Sequence, residues 1–224
     1  MDPFTALTGE MAAPGNPPGS AAAVLVRGEV VRTLTAGCCG SARPNRVRAD
    51  TVFPLMSMSK AVTAVAALAL AERGALAVDD PVGRHLPAIG RMLVDGRPPA
   101  EPIRIRHLLT HTSGLIRWMG AHPVEQAYGE VGIRPGQPGD YSLAEFCDRL
   151  AGTGLAFDPG TGLGVAVDED AGHPGEYGWS GASGSVFFVH PGSELALVVL
   201  ANRFGPGNAA WRNRLRTLAY RVPR

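Results

Sequence analysis

The sequence predicts an α+β fold in which an antiparallel sheet is flanked by helices. Three observations carry that expectation. Strand-like runs lie toward both ends of the chain, the strongest helical stretches lie between them, and no repeat or low-complexity linker separates the two sets. A chain of 224 residues with a formal net charge of +1 and 45% apolar residues can bury one sizeable core. Residues 1–20 are expected as an N-terminal extension and residues 21–224 as a single domain.

The opening "MDPFTALTGEMAAPGNPPGS" has neither the basic start nor the apolar centre of a secretory signal, and its Pro/Gly-rich end reads as a loop. A cytoplasmic protein is expected. "AAAVLVRGEVVRTLTAG" is β-rich on both sides of Arg27-Gly28, which predicts a hairpin whose tight turn uses the positive φ open to Gly28. The run from Phe53 to Leu76, "FPLMSMSKAVTAVAALALAERGAL", predicts a helix. Its Ala61 to Ala71 stretch is apolar almost all round yet short of the about 20 residues that cross a bilayer, so it is expected to be buried.

"VDDPVGRHLP" is turn chemistry, and "IRIRHLLTHTSGL" predicts a short strand running into a helical turn. "YSLAEFCDRLAG" starts with Ser142 as N-cap and Glu145 three residues on, a capping box, and closes at Gly152. The remainder predicts strands in "LGVAVD", "EYGWSG", "GSVFFVH" and "LALVVLAN", with turns such as "HPGSE" between them, and a final helix from Ala209 to Tyr220.

Composition excludes several classes. Lys and Arg number 21 against 20 Asp and Glu, with no long basic block and no basic-aromatic interleaving, which argues against a nucleic-acid surface. Cys38, Cys39 and Cys147 are odd in number and lack CxxC or metal-ligand spacing, so neither a disulfide framework nor a metal site is expected. No organic cofactor and no membrane association are expected either.

The chemistry is concentrated in Ser57-Met58-Ser59-Lys60. A serine hydroxyl needs a base within hydrogen-bond reach to become a nucleophile, and on a helix the residue three positions later shares its face. Lys60 occupies that position. Burial in an apolar setting would favour the neutral amine, and the helix N-terminus would add N–H groups beside a developing oxyanion. A serine at a helix start also serves as an N-cap, so the tetrapeptide alone leaves both readings open.

Three stretches decide the context. "FPLMSMSKAVTAVAALALAERGALAVDDPV", "IRIRHLLTHTSGL" and "GWSGASGSVFFVHPGSELALVVLAN" together resemble the serine β-lactamase and penicillin-binding superfamily, in its class C-like branch with the related esterases and transacylases. The resemblance covers most of Ala22 to Asn202 in the family's order. It implies a β-lactamase/transpeptidase-like fold, an acylated Ser57, and Lys60 as its proton acceptor. It implies an oxyanion hole from the backbone N–H groups of Ser57 and Ala182. Trp179-Ser180-Gly181 stands where the family has its third box, as a substrate-binding strand. Where β-lactamases carry a lysine there, Trp179 offers a flat apolar wall and one N–H donor, which favours neutral esters or thioesters over β-lactam acids. Ordinary packing remains the alternative for Trp179, and a bulge without chemistry for the 181–184 turn. The resemblance places His111 in a structural turn rather than in a Ser-His pair, and His190 is expected to be exposed.

One family feature is missing. "GLAFDPGTG" arrives at Gly154 to Gly162, but no Tyr-x-Asn box follows, and the family's helical lobe is expected to be much reduced. A compact working enzyme, a noncatalytic ligand-binding remnant and a chain with a lobe removed all fit this gap. The expected activity is that of a serine hydrolase, esterase-like, on small esters or thioesters, with carrier-bound acyl transfer as the alternative. Loss of the covering lobe leads to the expectation of a homodimer or a protein partner. Strand alternation puts Tyr177 on the same side as Trp179, which makes it the candidate phenol for proton relay, against the alternative that it fills the core.

Overall fold

A computed structural model describes residues 2–40, 45–117, 122–134, 139–164, 173–205 and 207–223. The chain divides into two compact units, residues 1–63 with 168–224, and residues 64–167. Among the described residues no helix is long and apolar enough to cross a membrane.

The first unit is built on a five-stranded antiparallel sheet. Its strands are β1 (Gly19–Val26), β2 (Glu29–Gly37), β3 (Tyr177–Ser180), β4 (Val186–His190) and β5 (Leu195–Ala201), in the order β2-β1-β5-β4-β3. Strands from opposite ends of the chain therefore meet at its centre. The register explains the core: Ala22, Val24 and Val26 pair with Val199, Leu197 and Leu195, while Phe188 and Val186 pair with Leu197 and Val199. Side chains opposite one another share a face, so one apolar layer runs across the strands.

Two helices cover that layer. In α6 (Asn208–Ala219), Trp211, Leu215 and Ala219 recur at every fourth residue and are fully buried. In α1 (Pro3–Ala12), Leu7 and Met11 do the same. Asp2 caps α1 by accepting the Thr5 N–H at 2.8 Å, and Pro3 occupies the first helical position, where its missing N–H is harmless. The first 20 residues are thus not an appended extension. They supply a helix and the start of a central strand, because Leu7 and Met11 present one apolar stripe to the sheet.

The hairpin follows expectation. Arg27 and Gly28 both take positive φ, 52° and 79°, the combination that matches strand twist in a two-residue turn. Strands form at "EYGWSG", "GSVFFVH" and "LALVVLAN", and the last helix lies within one residue of its expected bounds. His190, expected to be exposed, is half-buried: its Nδ1 accepts the Ser193 N–H at 2.9 Å and its ring lies edge-on to Tyr220. The strand expected at "LGVAVD" falls largely outside the described residues.

Helix α2 (Ser59–Glu72) follows a 3₁₀ turn, Met56–Met58. None of its residues is fully buried, and Val62 and Val65 are 63% and 66% exposed. The expectation of a buried helix is corrected: the apolar composition is there, but no described residue covers it completely.

The second unit carries α3 (Ile105–Leu109), α4 (Pro123–Glu130) and α5 (Leu143–Ala151) around a small core of Val82, Ile89, Met92, Val94, Ile103 and Leu155. Ser142 caps α5 by accepting the Glu145 N–H at 3.2 Å, and Gly152 ends it. The "LAFDPG" loop is pinned by Asp158, whose carboxylate receives a two-pronged contact from Arg97 at 2.7 and 3.1 Å and the Ala100 N–H at 2.7 Å. Hydrogen bonds from Arg97 first, and then from Ala100, hold this carboxyl below the usual carboxylate range.

Candidate active site

The segment before α2 places Ser57 by anchoring both of its sides. Phe53 and Met58 are buried, while Ser57 between them is half-buried. The chain reverses at Met56, a non-glycine residue with φ of 52°, a conformation that costs about 1–3 kcal/mol. The Met58 N–H closes the turn on Leu55 O at 3.2 Å. Ser57 thus sits in the 3₁₀ turn just ahead of the α-helix, and the three-residue spacing still works. Lys60 Nζ donates to Ser57 Oγ at 2.9 Å. Lys60 is exposed, so the apolar burial expected to favour its neutral form is not supplied here.

The second half of the site comes from the turn joining β3 to β4. Gly181 is buried, and an ideal Cβ on it would stand 2.5 Å from Leu55 O and 3.3 Å from Met56 Cβ. Ser183 Oγ donates to Pro54 O at 3.1 Å. These contacts seat residues 181–183 directly on the segment that presents Ser57. The turn is closed by Gly181 N–H to Ser185 O at 2.8 Å and Gly184 N–H to Gly181 O at 3.0 Å. Ala182 is exposed, and among the described residues its N–H has no acceptor. An amide left open at the end of an edge strand, next to a serine with a lysine on its hydroxyl, can receive negative charge on a substrate oxygen.

The sequence matches a known profile over the Ser57–Lys60 half of this site. The β-lactamase family model matches residues 4–162. The chain belongs to the β-lactamase family. It is 39% identical over 168 residues to esterase EstB of Burkholderia gladioli, a match covering 70% of this chain and 42% of EstB, so the chain spans less than half of that relative. It is 33% identical over 125 residues to acyltransferase calJ of Penicillium decumbens, covering 52% of this chain and 29% of that one. Among solved structures it resembles EstCE1, described as a hydrolase with promiscuous acyltransferase activity. The TM-score is 0.84 at 17% identity, with 97% of each chain covered, a likeness of fold.

Within this β-lactamase-family chain the predicted site residues fall as follows. Ser57, Lys60, Trp179, Ser180, Gly181 and Ala182 all lie in the first unit, and contacts bring the 181–183 turn onto the Ser57 segment. Trp179 and Ser180 are half-buried on the edge strand β3. Tyr177 is 59% exposed, so it does not fill the core, and it lies four positions before Gly181, about 13 Å along an extended chain. The other three tyrosines have settled partners. Tyr128 is buried, its hydroxyl accepts the Ile116 N–H at 3.2 Å, and burial raises its pKa; Tyr220 donates to Glu176 at 2.9 Å; Tyr141 stacks on Phe146.

His111 lies in the second unit, in a positive-φ conformation of 59°, and its carbonyl accepts the Gly164 N–H at 2.7 Å. Thr112 O likewise accepts the Gly160 N–H at 2.7 Å, a structural strap across the "HTSGL" and "DPGTG" loops.

Sequence reasoning missed the support behind the turn. Asn208 Nδ2 donates to Arg203 O at 3.0 Å and approaches Ala182 O at 3.5 Å, and Arg212 Nη1 donates to Gly181 O at 3.4 Å. Both side chains are buried. The available signal was their four-residue spacing, which puts them on one helical face beside the apolar stripe.

Proposed function

We propose that this chain is a serine hydrolase, esterase-like, that turns over small esters or thioesters through an acyl-Ser57 intermediate without a metal or organic cofactor. The observation that carries the reading is the 2.9 Å contact between Lys60 Nζ and Ser57 Oγ, beside an Ala182 N–H that no other described group uses. Neutral Lys60 would take the Ser57 proton as Oγ bonds to the substrate carbonyl carbon. The oxyanion would rest on the Ser57 and Ala182 N–H groups. Collapse would break the bond to the alkoxide or thiolate, which leaves with the proton from Lys60. Water would then repeat the sequence on the acyl-serine and restore the hydroxyl. Trp179 is assigned as the apolar wall beside the reacting group, with Ser180 and Gly181 as the strand along which substrate lies.

Acyl transfer is the second reading, favoured by one feature. Lys60 and Ala182 are both exposed, so an alcohol or a carrier-bound acyl donor could approach as readily as water. The esterase and acyltransferase names of the relatives support the same pair of outcomes. Free Cys38, Cys39 and Cys147 support a reducing compartment, and the cytoplasm is the location we assign.

Intact mass after treatment with a fluorophosphonate tests the reading. One adduct per chain is expected, lost in Ser57→Ala and in Lys60→Met with stability unchanged to within about 1 kcal/mol. An adduct that persists in Ser57→Ala, or lies on Ser59 or Ser113, removes the mechanism. Tyr177→Phe tests the proton relay. A role in acid-base catalysis requires a loss of about 10²-fold in turnover, and turnover within a few-fold of wild type strikes Tyr177 from the site.

A further inference from the structure

We propose that Arg212 is a positioning residue for the oxyanion hole, acting through the Gly181–Ala182 peptide. The inference rests on the esterase-like reading above. The carbonyl of Gly181 and the N–H of Ala182 are opposite ends of one planar peptide unit, so whatever fixes the direction of the oxygen also fixes the direction of the N–H. That oxygen is held twice. The Gly184 N–H donates to it at 3.0 Å from within the turn, and the Arg212 guanidinium donates at 3.4 Å from α6.

The second contact differs from the first in kind. Arg212 is 5% exposed, and burying a guanidinium is unfavourable unless its donors are used. A turn that needed only closure already has the Gly184 bond. A cationic donor at the carbonyl draws electron density through the amide and leaves the N–H at the other end a stronger donor, an effect magnified where water is excluded. Placed behind Ala182, the charge favours an anion in front of it without contacting the substrate.

The mounting is rigid. Arg212 follows Trp211, whose ring is fully buried under the sheet, and Leu215 and Ala219 hold the same helix to the core. Asn208, one turn earlier, reaches across Ala182 O and Arg203 O, so two buried side chains from one helix grip both carbonyls that flank the Ala182 residue. Positioning groups carried on a packed helix hold their geometry better than groups on loops.

The test uses the full chain with p-nitrophenyl butyrate as substrate and phenylboronic acid as a tetrahedral adduct former on Ser57. Removing a whole oxyanion donor costs about 10²–10³ in kcat, so weakening one should cost less. We expect Arg212→Met to lose about tenfold or more in acylation rate per folded molecule, with KM within twofold of wild type. Boronate affinity should fall in parallel, and Arg212→Lys should restore part of both. Arg212→Gln, which retains a neutral donor, decides the matter should the methionine variant fail to fold, and it should show the same loss. A folded variant that melts lower but acylates and binds boronate as wild type does shows a structural role only and overturns the proposal. The two readings fail separately. Wild-type protein that takes no acyl group on Ser57 brings down the esterase reading and this inference with it, whereas an active wild type with an equally active Arg212→Met brings down the inference alone.

Discussion

Gly181 and the carbonyl oxygen of Leu55 are packed so closely that a Cβ on Gly181 would stand 2.5 Å from that oxygen. Gly181 does not have positive φ, so the requirement is for space and not for backbone freedom. Gly181→Ala must therefore push the β3–β4 turn away from the segment that carries Ser57, since backbone on both sides leaves nothing flexible to yield. The expected result is a folded protein with acylation reduced about 10²-fold, the scale set by misplacing an oxyanion donor. Wild-type acylation by the alanine variant would show that the turn takes no part in the site.

Leu7 of α1 is fully buried against the sheet. Leu7→Ala should destabilise the protein by about 2–5 kcal/mol, the range for removing a large aliphatic side chain from a packed core. Urea unfolding followed by circular dichroism measures it. An unchanged midpoint would mean that α1 is not part of the cooperative core.

His107 in the second unit is 4% exposed; its Nδ1 accepts the Arg104 N–H at 3.2 Å, and its Nε2 lies 3.3 Å from Arg106 Nε and 3.7 Å from Glu101. Burial lowers its pKa below the ordinary 6.5, the charges of Arg106 and Arg104 push the same way, and Glu101 and Asp79 oppose them. Unfolded His107 takes up a proton below pH 6.5 that folded His107 resists, so stability should fall as pH drops from about 6.5 toward the folded value. His107→Asn keeps an acceptor for Arg104 and should flatten that part of the stability profile. A slope identical to wild type would assign the pH dependence to other groups.

The face of α2 that carries Val62 and Val65 is apolar and exposed, with no charged residue between Lys60 and Glu72 to repel a second copy. Patches of this kind commonly mark interfaces, and a twofold pairing lets the same face serve both partners. A homodimer is expected in light scattering at micromolar concentration, converted to monomer by Val65→Glu. A wild-type monomer across that range would refute it.

Much of this was legible because local rules and global fold agree. The Arg27-Gly28 turn, the Ser142 cap and the alternating strand at Leu195–Ala201 each follow from short-range chemistry, and all three formed where expected. The helix at Pro3–Ala12 was obscured by the Pro- and Gly-rich stretch behind it, although Asp2-Pro3 is a good helix start. Burial of α2 was read from composition alone, but composition says what a surface prefers and not what covers it. Arg212 was inconspicuous among the polar residues of "WRNRLR", since only its helical spacing from Asn208, beside the apolar stripe, sets it apart from its solvated neighbours.

The pairing of β1 with β5 also sets a schedule for synthesis. Val24 waits for Leu197 and Ala22 for Val199, so the β1–β2 hairpin stays without its central neighbour until β5 has been made. Ser57 and Lys60 emerge well before the turn bearing Ala182 and the helix behind it. Contacts this distant in sequence form slowly, and an unpaired strand edge is open to aggregation in the interval. A growing chain should therefore hold an inert serine on the ribosome and become reactive only once β3, β4, β5 and α6 have been made. Arrested chains of increasing length, probed with a fluorophosphonate, should label only once α6 has emerged. Labelling of a chain halted at Ser180 would contradict this.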